Sequence, residues 1–463
     1  MKKHLFATYA WNLHHVGDTS IMPGLLGIVH QQMPDVQTHV MAYQVETHPD
    51  YRLTEQYMRQ SSPACTTHPN VFRQLLHSGD SGAPAWRSFK QRWGEFKLGN
   101  FEKGWLSDAE SIRIADDLLN RLPLELLDDL RTIRPQTAAA IEQAGFAIYN
   151  SSTSLSFGRL GLRNLWRGIL PMMMPMLIAR AAKVPYGFSP LSFEALDWPI
   201  PLLYRPLFGD AKFLYCRDSD SLRYLQQHGL ANGSSGVRAD NCIYFDGEDE
   251  SWAEQFMRDN ELLDKQFIGL MPRIPDPAPN SGDPLSSPVS AERTASHMRK
   301  NIEFIEQWVA QTGMKVLICH ETTASIKLAR QHIWNGLSAK AQSRCVCMDH
   351  FWNPMQARSI YKRMETLVSM ELHSALLALS AGTPILHHPL IESGRKREMF
   401  ADFGFPDWLF DIDEATTGEL LDTALHIHHN RERSEERIRQ LLPGLKKLGD
   451  AMVSEMQLNW RRD

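Results

Sequence analysis

Thr366-Leu-Val-Ser-Met-Glu-Leu-His-Ser-Ala-Leu-Leu-Ala-Leu-Ser-Ala-Gly-Thr-Pro-Ile-Leu386 decides the fold class, because it reads in one stretch as strand, turn, helix and strand. The apolar pair Leu367-Val368 gives way at Ser369 to a helix whose Leu372, Leu376, Leu377 and Leu379 recur at helical spacing. Gly382 ends that helix and Pro384 prevents it from resuming. Glu371 and His373 therefore fall in the first helical turn, where free N–H groups and the helix dipole favour an anion. In parallel α/β sheets ligands collect at this place, outside the carboxyl end of a strand. His373 is the candidate general base, since a helix N-terminus disfavours its protonated form, and Glu371 is taken with it as a catalytic candidate.

The same alternation extends outward over most of the chain. His4–Ala10 reads as a strand, Thr19–Gln32 as a helix and Thr38–Val45 as a second strand; later Val184–Phe188, Lys212–Cys216 and Val237–Asp246 read as strands. A second series opens at Gln266–Met271 and continues through Met314–Cys319, Arg344–Met348, Thr366–Val368 and Pro384–His387 before closing helices. The pattern implies α/β architecture with parallel sheets. With 463 residues, more than one core usually supports, it predicts two domains, 1–247 and 248–463. Residues from about 50 to 110 are polar and turn-rich with scattered Trp86, Trp93 and Trp105, and read as an insertion in the first domain. Pro272–Pro288 is too rich in proline for regular structure and reads as a loop at the sheet's carboxyl edge, suited to a lid.

Composition removes several function classes. A formal charge of −5 gives no electrostatic footprint for nucleic acid. The six cysteines show no paired spacing, which predicts reduced thiols and a cytoplasmic protein; Cys345 and Cys347 have no second pair to complete a metal site, so none is expected. Leu165–Leu177 is the most membrane-like stretch, but it is too short to span and is broken by Arg167, Pro171 and Pro175. Its Met-rich face leaves peripheral membrane contact as an expectation. No cofactor is expected.

Three further strand-to-loop junctions carry polar residues. Asn12-Leu-His-His-Val-Gly-Asp-Thr-Ser20 offers Gly17 for close backbone approach, and Asp18 either caps a helix or binds a hydroxyl. Tyr186-Gly-Phe-Ser-Pro190 reads as a turn presenting Ser189. Arg217-Asp218 puts a guanidinium at a strand end, able to clamp a carboxylate or phosphate or to form a structural ion pair. Gly394-Arg-Lys-Arg397, after the last strand, adds Arg395 and Lys396 as candidate anion-binding cations.

In order and spacing these pieces resemble the polysaccharide pyruvyl transferase family. The resemblance rests on Asn12 with Gly17-Asp18, Tyr186–Pro190, the run Arg217-Asp-Ser-Asp-Ser-Leu-Arg-Tyr-Leu-Gln-Gln-His-Gly229, Asp246 at a strand end, Glu371-Leu-His-Ser374 with Ala381-Gly-Thr-Pro384, and Lys396. It implies two Rossmann-like domains facing across a cleft, glycosyltransferase-B-like, with an acceptor side first and a donor side second. The activity it implies is transfer of a pyruvyl group from phosphoenolpyruvate to sugar hydroxyls as a ketal, in polysaccharide or glycolipid biosynthesis. His373 matches the motif histidine, Arg217 the strand-end arginine and Asp18 an acceptor-side carboxylate. Where the family has arginine before Leu-His, this chain has Glu371. Two like charges about 4 Å apart cost roughly 4 kcal/mol at an effective dielectric near 20. Arg363, Arg395 or Arg397 is then expected to supply the missing cation. Otherwise the donor is a nucleotide-sugar, as in glycosyltransferases, or the chain is a non-catalytic saccharide-binding relative.

Overall fold

The computed structural model describes residues 3–73, 108–152, 155, 169–194, 196, 200–273 and 289–461. Among the described residues twelve strands form two sheets: β1 (His4–Ala10), β2 (Gln37–Ala42), β3 (Cys65–His68), β4 (Phe146–Tyr149), β5 (Tyr186–Leu191), β6 (Leu214–Cys216) and β7 (Ser235–Val237) in the first, and β8 (Phe267–Met271), β9 (Lys315–Ile318), β10 (Cys345–Cys347), β11 (Leu367–Ser369) and β12 (Ile385–His387) in the second. The orders are β3-β2-β1-β4-β5-β6-β7 and β10-β9-β8-β11-β12. Every pairing within them is parallel. Strands such as Phe267–Met271 and Leu367–Ser369 are buried along their whole length, because helices cover both faces of a parallel sheet. In the second sheet Ile268, Leu270, Val316, Ile318, Val368 and Leu386 pack with Phe304, Ile305 and Trp308 of the helix Ala291–Thr312.

Two compact units divide the chain: Met1–Trp11 with Ile28–Asn241 and Gly449–Asp463, and Asn12–Gly27 with Cys242–Leu448. Each therefore joins segments from the early and late parts of the sequence. In the first, Gln32 donates to Asp450 at 3.0 Å, Tyr215 bonds Glu455, and Trp460 stacks near Phe146. Gly145 leaves the space that the Trp460 indole fills, since a Cβ there would lie 1.8 Å from its Nε1. In the second unit, an antiparallel bridge from His15 to Thr322 ties the Asn12–Gly27 segment beyond the end of β9.

Several readings are corrected. Asp50–Ser61 is a helix and Cys65–His68 an edge strand of the first sheet, so the polar composition there hides ordinary α/β structure; Trp86, Trp93 and Trp105 lie outside the described residues. Tyr186–Pro190 is strand β5 and not a turn; Pro190 is accommodated where the register with β6 shifts between Phe188 and Leu191. Val237–Asp246 is not one strand: β7 stops at Val237 and Asn241–Tyr244 forms a 3-10 turn, leaving Asp246 outside any strand. The Met-rich helix Leu170–Ala181 is buried from Leu170 to Ala179, which leaves its methionines no surface for a membrane. No described helix is long and apolar enough to cross one. The proposed lid lies almost wholly outside the described residues.

Candidate active site

In doubly wound sheets the ligand crevice opens where strand order reverses. In the second sheet that reversal falls between β8 and β11, and the carboxyl ends there carry Arg273 after β8 and Ser369, the last residue of β11, followed by Met370-Glu371. Glu371 is the N-cap residue of the helix Leu372–Ser380, yet its side chain makes no cap hydrogen bond. Ser369 performs the local work, donating its hydroxyl to the Glu371 carbonyl at 2.7 Å and accepting the Glu371 N–H at 3.0 Å. The Glu371 carboxylate is thus left to face Arg273, whose guanidinium lies 3.5 Å away.

His373 lies in the first turn of the helix with Nδ1 3.4 Å from Oε1 of Glu321, the residue after His320 beyond β9. His15 approaches the same oxygen with Nε2 at 3.3 Å, and the two rings meet edge to face at 5.8 Å. Oε2 of Glu321 accepts the Ser374 N–H at 3.0 Å, whereas Oε1 is buried without a hydrogen bond of good geometry. Burial alone raises the Glu321 carboxyl, but the facing imidazoles of His15 and His373 and the Ser374 N–H prevail and hold it below the usual carboxylate range. Glu371 moves the other way, pushed up by burial and by Glu321 against the pull of Arg273 and Lys396. Two carboxyl groups in one site thus have environments that separate their titration. Gly17 makes the packing feasible: a Cβ there would lie 2.1 Å from the His373 Cβ and 2.6 Å from its Nδ1.

This cluster unites Asp18, Gly17, Glu371, His373 and Lys396 with three residues the sequence did not single out: His15, Glu321 and Arg273. Asp18 places its carboxylate 3.8 Å from His15 Nδ1, and its own N–H donates to that nitrogen at 3.2 Å. Asn12 shapes the preceding turn, accepting the His14 N–H at 3.0 Å. Arg395 and Lys396 sit in a 3-10 turn beyond β12, and Lys396 acts electrostatically on both Glu371 and His387. Of the expected substitute cations, Arg363 bonds Glu250, Arg397 pairs with Asp411 at 3.0 Å and Arg395 sits beside Lys396 beyond β12; Arg273, which was not among them, faces Glu371. His15, Glu321 and His373 also form a set with metal-ligand atom types within 4.8 Å of one another.

The remaining candidates lie in the first unit, and there the structure gives them partners. Arg217 is 1% exposed, with Nη1 2.6 Å from Asp240 and Nε donating to Ser192 at 2.8 Å. The ion pair is with Asp240 and not with Asp218. Asp218 caps the helix Ser219–Gln227, accepting the Ser221 N–H at 2.6 Å and the Ser192 hydroxyl, and burial raises its carboxyl. Ser189, expected to meet ligand, is fully buried and takes the Asn241 amide at 3.1 Å.

Similarity to known proteins accords with this architecture. A uridine diphosphate N-acetylglucosamine 2-epimerase from Neisseria meningitidis, solved with UDP-GlcNAc bound, aligns with 9% identity over 98% of this chain and all of its own, at a TM-score of 0.52. TcCGT1 in complex with UDP gives 10% identity, 99% and 100% coverage and 0.53; Anabaena Alr3699/HepE with UDP gives 9%, 98% of each chain and 0.52. The likeness is one of fold, two parallel-sheet α/β halves of the glycosyltransferase-B kind. No curated protein matches the chain in sequence. The model of the polysaccharide pyruvyl transferase family matches residues 82–387, about two thirds of the sequence, and the chain belongs to that family.

Proposed function

We propose that the chain transfers a pyruvyl group from phosphoenolpyruvate to two hydroxyls of a saccharide or glycolipid precursor, in the cytoplasm. The observation that carries the reading is the conjunction of a base, His373 on a buried carboxylate, with Arg273 and Lys396 at the same sheet edge. Carboxylate and phosphate of the donor call for such cations. Protonation of the enol methylene makes the central carbon electrophilic; a sugar hydroxyl attacks it while His373 takes the hydroxyl proton; the carbon–oxygen bond to phosphate breaks, and a second hydroxyl closes the ketal. One of the two hydroxyl protons balances that added to the methyl carbon and the other leaves with phosphate. Glu371, its carboxyl raised by burial, is suited to donate the methylene proton. The six cysteines, none of them joined in a disulfide, fit a reducing compartment.

Phosphate release from phosphoenolpyruvate in the presence of sugar acceptors tests the reading, with loss expected in His373→Ala. Absence of both release and thermal stabilisation by millimolar phosphoenolpyruvate refutes the pyruvyl donor. A second reading, a nucleotide-sugar donor, draws on the UDP-bound structures of similar fold and on Glu371 as a partner for sugar hydroxyls. Stabilisation by UDP but not by phosphoenolpyruvate favours it.

A further inference from the structure

The unused oxygen of Glu321 points to a device for moving a proton. A buried carboxylate oxygen without a good hydrogen bond is costly, and this one is faced by two imidazole nitrogens, at 3.3 Å from His15 and 3.4 Å from His373. The two rings are not equivalent. The Asp18 N–H points at His15 Nδ1, which fixes the His15 proton on Nε2, toward Glu321. The corresponding arrangement at His373, with Nδ1–H toward Glu321, makes Nε2 the basic atom. When Nε2 accepts a proton, the Nδ1–H becomes a stronger donor and can close on the waiting oxygen; catalytic hydrogen bonds commonly tighten in this way only in the reacting complex.

We infer that Glu321 is the positioning residue of the base, with His15 a tautomer-fixed brace that occupies the second approach to the same oxygen and leaves the carboxylate's charge to serve His373. The inference rests on the proposed transfer reaction for its kinetic consequence only. The charged groups acting here come from every neighbouring element: Glu321 beyond β9, His15 and Asp18 from the Asn12–Gly27 segment, Glu371 on the helix's own cap, Arg273 beyond β8 and Lys396 beyond β12. Cys242 adds a thiol 3.5 Å from the His373 carbonyl.

Nitrogen-15 NMR of histidine-labelled full chain reads the arrangement directly. The expected result is Nδ1–H on His373 and Nε2–H on His15; the reverse tautomer on either ring overturns the inference. In Glu321→Gln the acid limb of kcat/KM against pH is expected to move down by about one pH unit or more, with kcat falling about a hundredfold or more. Glu321→Asp, which keeps the charge, is expected to keep the limb near its wild-type position at reduced rate. A limb and a His373 titration midpoint that do not move in Glu321→Gln refute the role, as does a stoichiometric divalent ion retained through dialysis against chelator, since ligated imidazoles are not bases. If the wild type releases no phosphate from phosphoenolpyruvate, the donor assignment fails while the tautomer and titration results still decide the inference.

Discussion

Arg217 and Asp240 give a sharp test, because the same guanidinium is an anion clamp in the sequence and a buried ion-pair partner in the structure. At 2.6 Å the pair attracts by about 6 kcal/mol at an effective dielectric of 20, from 332/(20 × 2.6). Both side chains have lost their water, being 1% and 0% exposed, so that attraction largely offsets desolvation. Asp240→Asn keeps the volume and removes the carboxylate charge that faces the buried guanidinium. The expected cost is about 3 to 5 kcal/mol. Urea denaturation followed by fluorescence measures it, with the slope on denaturant unchanged. Arg217→Met combined with Asp240→Leu should recover most of the loss, because an apolar pair of similar volume needs no neutralisation. If Asp240→Asn costs less than about 1 kcal/mol and instead weakens phosphoenolpyruvate binding tenfold, the structural assignment is wrong and Arg217 serves a ligand.

Three further outcomes follow from the geometry. Gly17→Ala places a methyl against the His373 ring and should cut activity about a hundredfold, with a stability loss of about 1 to 3 kcal/mol; unchanged kcat/KM contradicts the packing. Arg273→Met and Lys396→Met should each weaken phosphoenolpyruvate binding about tenfold in calorimetry, whereas no change in either removes the cations from the donor site. Burial pushes His387 down to about 4 and His388 to about 3, so the unfolded chain takes up protons that the folded one refuses. Their contribution is intact above about pH 6.5 and shrinks as pH falls toward 4. At pH 5 each should have lost about 2 kcal/mol, and equal stability at pH 7 and pH 5 disproves their burial as neutral rings.

The sheet edge was legible because apolar strand residues stop abruptly at polar ones, as at Ser369, and because Gly382 and Pro384 punctuate the following helix. His373 was found for that reason. Glu321 was not, since a lone acid after an apolar run has no local pattern and acquires its meaning only from residues fifty and three hundred positions away. Arg273 was hidden by its proline-rich setting, which reads as loop whatever charge it carries. Asp240 was concealed by an error of period: Val237–Asp246 was read as one strand, although its polar residues turn inward to buried partners. In β5 the Gly and Pro signals suggested a turn, but the Tyr186 hydroxyl bond to the Leu207 carbonyl and the packing of Phe188 on Phe208 outweighed them.

The assembly of each compact unit from segments far apart in the sequence sets an order on synthesis. A ribosome that has released residues up to Asn241 holds a first unit still lacking the Gly449–Asp463 segment with Glu455 and Trp460, while the Asn12–Gly27 segment waits for a sheet not yet made. Neither unit can be completed from one half of the message. A fragment cut at the change of unit, residues 242–463, carries Glu321 and His373 but not the His15 and Gly17 that brace them, so the two halves would have to be supplied together before the base is in place.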